Sequence, residues 1–104
     1  MGFQSYVNAL HNLIPVGTDQ NIDQGATATT PATPPVGAEH CLIVCHRKPC
    51  VVTFDGADTV TGEGIALQIG VPLWVSAQAM NSASFMRATA TFNCRITLQY
   101  FQSR

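Results

Sequence analysis

Charge is what this sequence has least of. Only 11% of its 104 residues are charged, against roughly a quarter in an ordinary soluble domain. The stretch from Ile65 to Phe101 carries just two charged residues, Arg87 and Arg95. A surface with few charges of either sign is weakly protected against self-association. We therefore expect much of this surface to be covered by neighbouring proteins, and we expect a homo-oligomer, either a dimer or a trimer.

Other absences exclude whole classes of function. The net charge of −1 gives no reason to expect nucleic acid as a partner. No apolar run approaches the roughly 18–20 residues that span a bilayer, so no membrane association is expected. Residues 1–15 lack both a basic leader and a continuous apolar block. A secretory signal is therefore not expected there, and the cysteines are expected to stay reduced in a cytoplasm.

Catalytic and cofactor motifs are also missing. The chain has no GxSxG nucleophile turn and no glycine-rich phosphate loop. The segment HCLIVCHRKPC contains His40, Cys41, Cys45, His46 and Cys50, but it lacks the CxxC pair typical of structural zinc sites. On a strand its cysteines and histidines would point to opposite faces, so four ligands could not converge. We expect no enzymatic activity, no cofactor and no metal.

The four cysteines are better interpreted as buried thiols that pack as small hydrophobic side chains. Cys94 fits this interpretation, because it alternates with polar residues on the apolar side of its strand. Cys41 is also interpreted as a buried thiol of this kind. A disulfide between Cys45 and Cys50, across the short RKP turn, remains the alternative.

The first of three regions, residues 1–16, is apolar and aromatic. Its spacing fits one face of a helix, but it is short, uncapped and interrupted by Pro15, so an extended arm is an equal alternative. In either form it needs a surface to bind. The side chains expected to bind that partner are Phe3, Tyr6, Val7, Leu10, Leu13 and Ile14.

The second region, residues 17–38, is rich in Thr, Ala, Pro and Gly and has a single large aliphatic residue, Ile22, before Val36. Such a composition buries too little apolar area to offset its ordering entropy. We expect a linker that would reach about 70 Å if fully extended. A linker of that length would let the arm bind a neighbouring subunit.

The third region, residues 39–104, is predicted to be all-β. Its clearest strand is TFNCRITLQYF, where apolar and polar residues alternate from Phe92 to Tyr100. Shorter strands are predicted in CLIVCH, CVVTF, IALQI, VPLWV and around residues 85–89. About six strands separated by turns favour a small β-sandwich or jelly-roll-like domain with an extended N-terminal arm.

Several strand residues are candidates for an interface between subunits. CLIV and CVV are apolar on both faces, as if each strand were covered from both sides. Trp74 could serve a sugar-binding platform, but large aromatic residues are more often found in cores or protein interfaces. The candidate interface residues are Leu42, Val44, Val51 and Trp74.

Parts of the chain resemble small virion proteins of tailed bacteriophages. The resemblance rests on VTFDG (Val52–Gly56), GIALQIGVPLWV (Gly64–Val75) and FMRATATFNCRITLQYF (Phe85–Phe101), about half of the chain. The opening residues Phe3-Gln4-Ser5, followed by Val7-Asn8, are similar to the start of capsid cement or decoration proteins. The four cysteines and the TTPATPP segment depart from the pattern.

The resemblance implies a non-enzymatic structural protein of a phage particle. It would be made in the bacterial cytoplasm, would lie on the capsid surface, and would stabilise the head by binding between subunits of the major capsid protein. The alternatives are a component of the neck or a tail appendage, or a β-module that binds a glycan or receptor.

Overall fold

A computed structural model of the chain describes residues 13–25, 27–57, 63–89 and 91–103. These residues form seven strands and one short 3-10 helix, which spans Gln78–Ser82. The strands are β1 (Leu13–Gln24), β2 (His40–His46), β3 (Cys50–Thr53), β4 (Ile65–Leu67), β5 (Leu73–Ser76), β6 (Ser84–Arg87) and β7 (Cys94–Ser103). The prediction of an all-β chain is confirmed.

The strands form two antiparallel sheets. Sheet A has the order β1-β7-β2-β5, and sheet B has the order β4-β3-β6. The chain passes from sheet A to sheet B between His46 and Cys50, at the turn that joins β2 to β3. Since β7 lies between β1 and β2, the last strand in sequence completes the centre of sheet A.

A single hydrophobic core contains side chains from both sheets, an arrangement consistent with a small β-sandwich. Buried residues alternate with more exposed ones along β2 and along β7 as far as Phe101, as expected for a sheet with one face against a core. The buried side chains of sheet A include Ile22, Cys41, Ile43, Cys45, Cys94, Ile96, Leu98 and Tyr100. Those of sheet B include Cys50, Val52, Leu67 and Phe85.

Strand β1 differs from the sequence-based expectation of a linker. Residues 17–24 were expected to belong to an extended linker, but they lie in β1, and residues 20–24 pair with β7 in sheet A. Ile22 is buried opposite Ile96, and Leu13 and Ile14, placed in the arm, lie opposite Ser103 and Gln102 of the same chain. Backbone hydrogen bonds to β7 compensate for the poor apolar content of this segment, which composition alone does not reveal.

The segment after β1 is also attached to the domain. The backbone N–H of Thr29 donates to Phe85 O at 3.0 Å, and Phe85 N–H donates to Thr29 O at 2.8 Å. The buried Gln24 side chain donates from Nε2 to Thr27 O at 2.6 Å. The N-terminal part of the predicted linker is therefore bound to both sheets, although Val36 is fully exposed.

Gly64, immediately before β4, is expected to be intolerant of alanine. Its φ is +114°, and a Cβ there would lie 2.9 Å from Val52 O and 3.0 Å from Thr53 Cγ2. Gly56 is a matched control, because its φ is +84° but no atom lies within 4 Å of its Cβ position. Both substitutions should cost about 1–2 kcal/mol for the positive φ, and Gly64→Ala should cost about 1–2 kcal/mol more for the clash. Urea unfolding measures both, and equal losses would contradict the close approach of Gly64 to β3.

Candidate functional site

The outer face of sheet A carries a partly exposed apolar cluster. Leu42 and Val44 of β2 and Trp74 of β5 point away from the core, as the alternation of their strands requires. Trp74 packs against Phe101 of β7, with ring centroids 5.3 Å apart and an interplanar angle of 52°. The two rings therefore cover each other in part, and Trp74 does not present a flat open platform of the kind that sugars stack on.

Val51 does not belong to this surface. It was a candidate interface residue, but it is only 3% exposed in β3, the central strand of sheet B. Its strand neighbours are Ala66 and Met86. Its apolar character is thus explained by burial within its own chain.

Two histidines on the outer face of sheet A hydrogen-bond to hydroxyl groups of β7. His40 Nε2 lies 3.1 Å from Ser103 Oγ, and His46 Nε2 lies 3.0 Å from Thr97 Oγ1. In a catalytic triad a third group orients the histidine from its other nitrogen. Within the described residues no hydrogen bond is formed to Nδ1 of either histidine. The carboxylate nearest to the first pair, Glu39, instead accepts from the Ser103 backbone N–H at 2.8 Å.

A second surface, which we call the uncharged edge, was predicted as a site only at Trp74. It consists of β4, β5 and the segment 68–72 that connects them. Residues 65–86 contain no charged side chain, and Ile65, Ile69 and Val71 are 52%, 49% and 57% exposed. Apart from Trp74, the sequence indicated this surface only by the absence of charged residues from 65 to 86. Which of these side chains reach the surface depends on the fold.

The uncharged edge combines two open sheet edges. Strand β4 is the outermost strand of sheet B, and β5 is the outermost strand of sheet A. No described strand pairs with their outer sides. Soluble proteins usually protect such edges with charged side chains, proline or a covering segment. Residues 65–72 contain Pro72 but no charged side chain, so this edge is well suited to contact another protein.

The core contains a cluster of three thiols, which we call the thiol cluster. The Sγ atoms of Cys45, Cys50 and Cys94 all lie within 4.8 Å of one another. Cys45 and Cys94 point inward from sheet A, and Cys50 points inward from sheet B. All three are buried and, like Cys41, free. The interpretation of the cysteines as buried thiols is confirmed, but their convergence was not predicted.

The turn from β2 to β3 brings a carbonyl group into the thiol cluster. Lys48 N–H donates to His46 O at 2.9 Å across Arg47, whose φ is +71°. This is the geometry of a classic γ-turn, which is rare and strained for a residue with a side chain. The Lys48 carbonyl oxygen accepts from Cys45 Sγ at 2.9 Å and from Cys50 Sγ at 3.7 Å.

The thiols influence one another's ionisation. Hydrogen bonds from Cys50 and then Cys94 lower the pKa of Cys45 to about 4, although burial opposes this change. The hydrogen bond to Cys45 raises the pKa of Cys94 to about 11 and also raises the pKa of Cys50. A negative charge on Cys45 would therefore make ionisation of Cys50 or Cys94 more costly. Burial raises the pKa of the separate Cys41 thiol to about 12, so that thiol remains protonated at neutral pH.

The predicted arm falls largely outside the described residues. This holds for Phe3, Tyr6, Val7 and Leu10, whereas Leu13 and Ile14 begin β1. Among the residues that are described, no helix has the length and apolar composition needed to cross a membrane.

Comparison with known proteins gave no significant match, whether to protein-family models, to curated proteins or to solved structures.

Proposed function

We propose that this chain is a non-enzymatic structural protein of a phage particle, a cement or decoration protein that binds between major capsid protein subunits and stabilises the head. The observation that carries the proposal is the uncharged edge. The identity of the particle comes from the sequence resemblance, and the mode of binding comes from the physical character of this edge.

The uncharged edge favours a protein partner over a small molecule. It offers unpaired backbone groups of β4 and β5 beside the exposed side chains of Ile65, Ile69 and Val71. A partner that adds a strand would satisfy those backbone groups, and apolar pockets on it would accept the side chains. Because residues 65–86 carry no charge, such contact requires no buried unpaired charge, which is a major cost of forming an interface.

Association between copies belongs to the same proposal. A dimer or trimer would place Leu42, Val44 and Trp74, on the outer face of sheet A, next to a second copy or a capsid subunit. These side chains are only partly covered within the monomer. Many copies engaged at once would hold the shell by avidity even if each contact were weak.

The arm has a narrower role in this proposal than its sequence suggested. Residues 17–24 lie in β1 and cannot serve as a tether without leaving sheet A. Residues 1–12 immediately precede β1, an edge strand of sheet A. Phe3, Tyr6, Val7 and Leu10 would contact a subunit adjacent to that edge.

Binding to purified heads of the phage that encodes the chain tests the proposal. The double variant Ile65→Asp/Val71→Asp should lower the affinity for heads by about 10- to 100-fold, because it places charge in an apolar contact. Val36→Asp is the matched control, since Val36 is fully exposed outside the uncharged edge, and it should bind like wild type. Sedimentation of heads with labelled protein gives the occupancy.

A chain lacking residues 1–12 measures the contribution of the arm in the same assay. Circular dichroism of the unbound variants establishes that they are folded. Wild-type protein that fails to bind heads would overturn the assignment to the capsid, and folded double variant that binds normally would exclude the uncharged edge.

A further inference from the structure

We propose that the thiol cluster is a binding site for one divalent metal ion of the zinc class, held by the thiolates of Cys45, Cys50 and Cys94. This inference does not rest on the proposed function. It concerns the junction where the chain crosses from sheet A to sheet B, and it uses no side chain of the uncharged edge.

The distances between the sulfur atoms fit such an ion. Zn–S bonds are about 2.3 Å long, so tetrahedral geometry places neighbouring sulfurs about 3.8 Å apart. The three Sγ atoms already lie within 4.8 Å of one another, so they need to approach by at most about 1 Å. Small rotations about the Cα–Cβ bonds supply a movement of that size without breaking either sheet.

The donor set determines the class of metal. Three thiolates are soft ligands, which select zinc and related ions over magnesium or calcium. The Lys48 carbonyl oxygen, 2.9 Å from Cys45 Sγ and 3.7 Å from Cys50 Sγ, is near enough to the sulfurs to be a candidate fourth ligand. A divalent ion with three thiolates leaves one net negative charge, whereas a monovalent ion would leave two, which is less favourable in a buried site.

The strained turn provides a separate reason to regard the cluster as a site. The positive φ of Arg47 is a cost that a hairpin between two sheets could avoid with glycine. That conformation directs the Lys48 carbonyl toward the sulfurs. The turn also makes a tertiary contact, since Lys48 Nζ lies 4.9 Å from the centroid of the Phe92 ring.

A cavity lies beside one of the three proposed ligands, Cys94. This cavity of about 380 Å³ is lined by Asp23, Gln24, Gly25, Arg47, Asn93 and Cys94. Gln24 is 1% exposed, and its Oε1 atom has no hydrogen-bond partner among the described residues. The cavity therefore offers polar groups to a hydrated ion on its way to Cys94.

Binding would displace the thiol protons to solvent and join the two sheets. Cys45 would lose its hydrogen bond to Lys48 O as its sulfur becomes a ligand. Because Cys50 belongs to sheet B and the other two ligands to sheet A, the ion would cross-link the core at its β2–β3 end. Small domains with limited cores commonly gain stability from a metal in this way.

Titration of the reduced full-length protein with Cd²⁺, followed by competition with Zn²⁺, tests the site. We expect one ion per chain that survives dialysis, an ultraviolet thiolate-to-cadmium charge-transfer band, and a higher midpoint of thermal unfolding. Cys94→Ser should lose the band and the tight binding. Cys41→Ser, which removes an equally buried thiol outside the cluster, should keep both.

X-ray absorption of the zinc-loaded wild-type protein keeps the test decisive if Cys94→Ser does not fold. Three sulfur ligands and one lighter ligand are expected. Absence of tight binding, a sulfur count below three, binding that survives in folded Cys94→Ser, or loss of binding in folded Cys41→Ser would each overturn the proposal.

Discussion

Phe85→Ala is expected to lower the free energy of unfolding by about 3–5 kcal/mol. Phe85 is the largest fully buried side chain among the described residues, and it lies between the two sheets. Its removal loses the transfer free energy of the ring and leaves a cavity that β-sheets on both sides cannot readily close. Domains of this size are typically stable by only about 5–15 kcal/mol, so this single change should remove much of the total.

Phe92→Ala is the matched control for this prediction. The ring of Phe92 is 50% exposed and contacts the Lys48 ammonium group at 4.9 Å. Its loss should cost below about 1 kcal/mol, the usual range for an exposed cation–π contact. Urea unfolding followed by circular dichroism measures both variants. Similar midpoints for the two would show that Phe85 does not occupy the core described above.

Ile22→Asp is expected to destabilise the domain by about 3–5 kcal/mol. Ile22 is 7% exposed in β1 and lies opposite Ile96 of β7. A carboxylate at this position would be buried beside apolar side chains with no cation to pair with, and uncompensated buried charge is among the costliest substitutions. A flexible linker would tolerate the same change, so the variant tests directly whether β1 is part of the folded domain.

Asn21→Asp controls for the added charge. Asn21 is exposed on the opposite face of β1, and its Oδ1 accepts from Thr97 Oγ1 at 2.8 Å. An aspartate can accept the same hydrogen bond, so the change in stability should stay within about 0.5 kcal/mol. Thermal unfolding of the two variants side by side distinguishes them. If neither variant loses stability, residues 17–24 are a linker and not a strand of the folded domain.

The central strands could be predicted because their side chains alternate. In β2 and β7 every second residue is buried, and the same alternation is visible in CLIVCH and CRITLQY. The first and last residues of the strands were less predictable. β7 begins at Cys94, later than expected, and continues to Ser103, because pairing with β1 at Leu13 extends its C-terminal end. The 3-10 helix at Gln78–Ser82 has no periodic signal and was not expected.

Strand β1 could not be predicted from its own composition. LIPVGTDQNIDQ contains Pro15 and Gly17, and its register with β7 shifts between Val16 and Gln20. Edge strands tolerate such residues because only one of their sides must pair. What orders this segment is β7, which follows about seventy residues later, and a local reading of sequence contains no information about that partner.

The thiol cluster illustrates the same limit for sites. Spacing within HCLIVCHRKPC correctly places Cys41 and Cys45 on one face of a strand. The spacing does not reveal that, after the turn at Arg47, Cys50 faces the same core from sheet B. Nor does it reveal that Cys94 of β7 lies beside them. Convergence of ligands from three strands is a property of the tertiary fold.

The strand order of sheet A has a consequence for synthesis on the ribosome. β7 is the last of the seven strands to be translated, yet it lies between β1 and β2 and pairs with both. While it remains inside the exit tunnel, β1 and β2 are released with no strand between them and with their core-facing side chains open to other nascent chains. Such non-local pairing folds slowly, and until it is complete the exposed apolar segments favour aggregation.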